Sequence, residues 1–165
     1  MDIQAWLDQE GARIADGISR FGWTGFFVGG DTCGRPGCTS PPDDRPPFAS
    51  TIGLFGIGHP ELLIVGVDPP TASVVLGDLA GRVRNGEALV AGFPVTVETW
   101  PRPIVPEPVP NPGEIVLWAN GFYRRPPEHS VPVLQLTYAD AAVRFPWDDG
   151  YDLPHLQPRP GEFTA

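Results

Sequence analysis

Apolar residues recur along this chain at two spacings, and each spacing selects an element. Ile3, Trp6, Leu7, Ile14, Ala15, Ile18 and Phe21 repeat at helical intervals. Asp2 stands at the N-cap position and Gly22 at the end, so a first helix is expected between them, weakened by Gly11 and Gly17. Trp23 to Val28 reads as a short strand, and Phe48 to Phe55 as another that carries small residues. Gly56-Ile57-Gly58-His59-Pro60 is a turn. Glu61 to Val67 is almost continuously apolar, which suits a strand buried on both faces. The next helix is the clearest element. Asp68 can cap it, Pro69 sits where a helix needs no N–H, and Ala72, Val75, Leu76, Leu79, Ala80 and Val83 form one stripe up to Asn85-Gly86.

Downstream the pattern is less regular. Phe93 to Trp100 alternates as a strand does. Pro101 to Gly113 carries six prolines, and a rigid surface loop is expected there in preference to a central strand or a polyproline ligand. Glu114 to Ala119 reads as a strand, Asn120 to Arg124 as a short helical turn, and Val131 to Tyr138 as a strand with Gln135 and Thr137 facing outward. Phe145 to Tyr151 is an aromatic turn, and the proline-bearing tail lies along the surface. Runs of strands with two helices predict an α+β fold, with a twisted antiparallel or mixed sheet of about five to six strands covered by two helices. The expected organisation is a single domain over 1–165, with a Cys/Pro/Gly-rich loop at 29–47, a Pro-rich insert at 101–113 and an extended tail at 152–165.

Charge narrows the partners. The net charge is −9, and all 11 basic residues are Arg. Nucleic-acid phosphates demand a basic stripe, which this chain lacks, so a nucleic-acid partner is not expected. No apolar run reaches the length of a membrane span, and Met1-Asp2-Ile3-Gln4 does not open a signal peptide. The expected location is the cytoplasm, and the expected partner is another protein.

Candidate chemistry is sparse. Gly56-x-Gly58 begins like a dinucleotide fingerprint but has Glu61 at the third glycine position and a strand after it. His59-Pro60-Glu61 has the His-x-Glu form of zinc deaminases without the Pro-Cys-x-x-Cys partner. Cys33, Cys38 and His59 would make three zinc ligands with Glu61 as general base, yet a structural zinc wants four ligands, and no cofactor is expected. The two cysteines also read as free thiols or as a disulfide with redox sensitivity. His59, Glu61 and Asp140 are the candidate acid–base groups, and Gln135 and Trp147 the candidate binding groups. Together these five are expected to form one polar patch with an aromatic wall at one end of the sheet. Three functions follow: a protein-binding or regulatory module, with bacterial conflict or stress as one setting for it; a small enzyme built on His59, Glu61 and Asp140; a metal or redox sensor built on Cys33 and Cys38. The binding module ranks first because nucleophile and cofactor motifs are missing.

Four phrases carry a family resemblance: Pro47-Phe48-Ala49-Ser50-Thr51-Ile52-Gly53-Leu54, Gly58-His59-Pro60-Glu61-Leu62, Val133-Leu134-Gln135-Leu136 followed by Asp140, and Phe145-Pro146-Trp147. With the closing Gln157-Pro158 they resemble the bacterial family called domain of unknown function 4262. More distantly, Thr51-Ile52-Gly53-Leu54 with its following Glu-Leu resembles the suppressor-of-fused domain, a protein-binding fold. The first resemblance implies a shared fold and no reaction; the second implies protein binding by analogy alone.

Overall fold

A computed structural model describes residues 2–29 and 45–165. Its elements in chain order are α1 (Ile3–Phe21), β1 (Thr24–Val28), β2 (Phe48–Ile52), β3 (Glu61–Val65), α2 (Pro69–Arg84), β4 (Val95–Val97), β5 (Trp100–Pro108), α3 (Leu117–Phe122) and β6 (Val133–Tyr138). Short 3-10 turns occupy Phe55–Ile57, Pro112–Glu114 and Pro127–His129. The six strands form one mixed sheet in the order β1-β2-β3-β6-β5-β4, in which β3 and β6 run parallel and every other neighbouring pair is antiparallel. The fold is α+β.

Alternation along β3 explains the layering. Leu62 and Ile64 join the α2 stripe in one apolar cluster, with Leu134, Leu136 and Tyr138 of β6. Leu63 and Val65 face the other way, into a second cluster with Ile14 of α1, Ala119 of α3 and Val133 of β6. All five residues of β3 are buried, as a strand covered on both faces requires. Asp68 accepts the Thr71 N–H at 2.7 Å and starts α2, and Asn85 ends it.

Four expectations need correction. The proline-rich insert is a strand: Trp100–Pro108 lies between β6 and β4. Parity makes this workable. Val109 donates to Val133, and Pro103 accepts from Ala139, so odd-numbered residues of β5 face β6. Pro106 and Pro108 therefore turn their missing N–H away from β6, and on that outer side Pro106 O accepts the Gly92 N–H at 2.9 Å. Pro103 cannot donate to Ala139 O, and Arg102 Nη1 takes that carbonyl at 3.3 Å. Second, the expected strand from Glu114 to Ala119 is a 3-10 turn running into α3. Third, Phe93 to Trp100 yields only the three residues of β4 before β5 begins. Fourth, Gln135 and Thr137 are buried, because the tail covers that face of β6. The Gln157 side-chain amide donates to Tyr138 O at 2.9 Å and accepts Tyr138 N–H at 2.8 Å, filling the ladder slot beyond the end of β3.

Leu76 is fully enclosed against the sheet, whereas Val74 on the same helix is 45% exposed. Leu76→Ala is expected to cost about 2–5 kcal/mol, and Val74→Ala about 0.5 or less. A urea titration of the two variants checks this, and equal losses would contradict the assignment of the buried face.

Candidate functional site

Between β2 and β3 the chain turns sharply, leaving several backbone N–H groups without a carbonyl partner. Glu61 collects them. Its Oε1 accepts from Gly53 N at 2.8 Å and Phe55 N at 3.1 Å, and its Oε2 accepts from Leu54 N at 3.3 Å. The Thr51 hydroxyl donates to Oε2 at 2.6 Å and accepts the Leu62 N–H at 2.9 Å. Gly53 has φ +132°, and a Cβ there would meet Gly22 O at 2.6 Å, so only glycine allows this approach. Glu61 is wholly inaccessible to solvent. Burial pushes its carboxyl above the usual range, and the hydrogen bonds from Thr51, Phe55, Gly53 and Leu54 draw it partly back. Tyr123 closes the turn from α3, edge-on to Phe55, with its hydroxyl accepting the Gly56 N–H at 3.2 Å. Burial, and then the Glu61 charge, push that phenol up to about 12.

His59 is spent in the same way. Leu89 N–H reaches its Nε2 at 3.0 Å, which places the ring proton on Nδ1, 2.7 Å from Pro60 O. Both nitrogens are engaged within a buried ring that ties the loop after α2 to the β2–β3 turn.

Asp140 lies at the opposite end of the sheet. β3 and β6 run parallel with Glu61 level with Val133, so Asp140 lies seven residues further along, roughly 20 Å at the usual strand rise. The expected five-residue patch is not formed. Asp140 Oδ1 accepts from the backbone of Ala142 and Arg144, each at 2.9 Å. Its Oδ2 accepts from Arg144 Nε at 3.0 Å and Asp152 N at 3.3 Å. Burial alone would raise this carboxyl, but the Arg144 and Asp152 donors outweigh it and hold it below its ordinary range.

Gln135 and Trp147 are linked through the tail. Gln135 Nε2 donates to Pro158 O at 2.8 Å. The next residue, Arg159, reaches Glu107 at 2.7 Å and stacks 5.3 Å from the Trp147 ring. Thr137 donates to the other oxygen of Glu107 at 2.7 Å. Trp147 lies parallel to Phe145 at 4.9 Å and keeps about half of its surface exposed. Cys33 and Cys38 fall outside the described residues. Among the described residues no group of three or more His, Cys, Asp or Glu is placed to hold a metal ion.

One apolar feature among the described residues has no counterpart in the sequence reading. A groove of about 370 Å³ runs between α1 and α3, lined by Leu7, Gly11, Ile14, Leu117, Trp118 and Phe122. Trp6 meets Trp118 edge-on at 5.5 Å on its wall. Asn120 holds α3 in place, accepting the Val131 N–H at 2.9 Å and donating to Ser130 at 2.8 Å. Reading residues 114–119 as a strand hides the groove, because alternation puts Leu117 and Trp118 on opposite faces, whereas the helix gathers both beside Phe122. One signal was available. Gly11 and Gly121 sit inside helices at a typical cost of about 1 kcal/mol each, and open space meets both Cα atoms.

The two buried carboxylates give opposite pH behaviour. Asp140 is depressed, so its contribution to stability is present above its unfolded value near ~3.9 and is lost as the pH falls through the folded value. Glu61 is raised, so its contribution is complete below its unfolded value near ~4.3 and declines as the pH rises through the folded value. Thermal melts between about pH 2 and pH 7 should show a loss on the acid side that Asp140→Asn flattens. Parallel curves for wild type and Asp140→Asn would contradict this. His59→Ala is expected to cost about 1–3 kcal/mol, because the Leu89 N–H loses its acceptor. An unchanged melting temperature would show that water replaces the ring.

Comparison with known proteins adds one finding. The model of the family described as Domain of unknown function (DUF4262) matches residues 17–152. No curated protein and no solved structure matches the chain. The match covers all six strands, α2, α3, the Glu61 turn and the Asp140 turn, and leaves out most of α1 and the tail. The chain belongs to the DUF4262 family.

Proposed function

We propose that this protein is a protein-binding module, and that the groove between α1 and α3 receives an apolar segment of a partner with basic residues beside it. The observation that carries the reading is the open apolar wall. Leu7, Leu117 and Phe122 are exposed in the groove and Trp6 is exposed beside it against Trp118, and isolated soluble domains rarely leave contiguous apolar surface. Indole and phenyl rings are the side chains that most often anchor such contacts. Charge supports the choice of partner. The chain carries −9, and at the start of α1 neither Asp2 nor Asp8 is in an ion pair among the described residues. Basic residues flanking the bound segment would meet them.

The enzyme reading has less support. His59, Glu61 and Asp140 each spend their polar atoms on backbone groups, and His59 and Glu61 lie far from Asp140. A general base needs reach to a substrate proton, which a sealed carboxylate lacks.

Helical peptides with a leucine stripe flanked by arginines should bind in calorimetry. Leu7→Asp and Leu117→Asp should each weaken that binding at least about tenfold, the effect of losing one interface anchor worth ~1.4 kcal/mol. Both sites are exposed, so the variants should melt close to wild type. Binding that survives both substitutions, or equal binding of peptides flanked by glutamates, would reject the groove as the site.

A further inference from the structure

We infer that the edge of β1 that no described residue pairs with joins β1 of a second copy of this chain, merging two sheets into one across a two-fold axis. The sheet ends in two edges, and they differ. β4 is three residues long, follows Pro94, and its register with β5 shifts between Val95 and Val97. Short length, proline and a bulge are the devices that keep edges from recruiting strands. β1 has none of them. Thr24, Gly25, Phe26, Phe27 and Val28 pair with β2 in unbroken register, without proline or charge. Among the described residues no hydrogen bond reaches the backbone of Thr24–Val28 from the side away from β2. Its outward N–H and C=O groups form a template for another strand.

The surroundings leave room for that strand. A groove of about 220 Å³ lies between α2 and the face of β1 and β2 near this edge, lined by Trp23, Gly25, Phe27, Ala49, Ala72 and Leu76. An added strand would place alternate side chains in it. A second copy is the occupant the composition favours. Residues 21–29 carry no charge, so two antiparallel copies meet without like charges opposite one another. The strand presents no carboxylate that would select a basic foreign strand instead. A self-pair also satisfies both unprotected edges at once, and closes.

The test uses the intact chain. Analytical ultracentrifugation from roughly 5 to 500 µM, a range suited to small interfaces, should show a reversible monomer–dimer equilibrium. Raising salt from about 0.05 to 0.5 M should strengthen it, because screening relieves repulsion between two copies of charge −9. Salt should weaken a basic peptide in the α1–α3 groove, so the two readings fail separately. Gly25→Lys places a charge at an exposed position where a Cβ meets nothing closer than Trp23 at 3.6 Å, and should reduce dimerisation at least tenfold while leaving the melt of the dilute protein unchanged. Hydrogen exchange on the wild-type chain gives a second readout: amides within Thr24–Val28 should slow as concentration rises. A monomer at every concentration, a dimer indifferent to Gly25→Lys with no slowing at β1, or a monomer that gains protection there only from a foreign peptide would overturn the proposal.

Discussion

The architecture turns on one buried carboxylate. β2 and β3 are joined by a turn in which the N–H groups of Gly53, Leu54 and Phe55 turn to a side chain and not to a backbone carbonyl, and an unsatisfied buried donor costs about 1–3 kcal/mol. Glu61 meets three of them together with the Thr51 hydroxyl. Because Glu61 is also the first residue of β3, the same side chain that closes the turn sets where the strand begins. β3 is the strand that β6 joins in parallel, and Glu61 stands level with Val133. The register of the sheet centre is therefore anchored by an acid whose desolvation the turn offsets only in part.

His59 and Asp140 repeat this logic. Each closes an irregular segment by accepting backbone N–H groups. Polar residues in such a chain look like catalytic material when read singly, since acid–base chemistry uses the same residue types. The difference lies in what surrounds them. A reactive group keeps an unfilled direction toward substrate, whereas both oxygens of Asp140 and both nitrogens of His59 are occupied.

Legibility from sequence followed the strength of local signals. α2 announced itself through Asp68, Pro69 and six stripe residues, because cap, proline and periodicity all agreed. β3 was readable because burial on both faces leaves a run with no alternation. β5 was not, since proline content argues against a strand unless the partner side of each residue is known, and parity relative to β6 is a tertiary fact. The helical turn expected at Asn120 to Arg124 begins three residues earlier, at Leu117, because the β-branched Ile115 and Val116 favour a strand locally, while Asn120 fixes the helix through Val131, eleven residues away. The same error concealed the groove. The separation of His59 from Asp140 followed from the parallel pairing of β3 with β6, which composition does not encode.

The prolines of β5 have one more effect. Pro106 and Pro108 remove two donors from the outer side of that strand, beyond the very short β4. That margin can end a sheet but cannot extend one. A molecule with one receptive margin and one inert margin has no route to head-to-tail stacking, because every added subunit would need both. If β1 pairs with a second copy, growth by strand addition would have to continue at this other margin, where Pro106 and Pro108 offer no N–H.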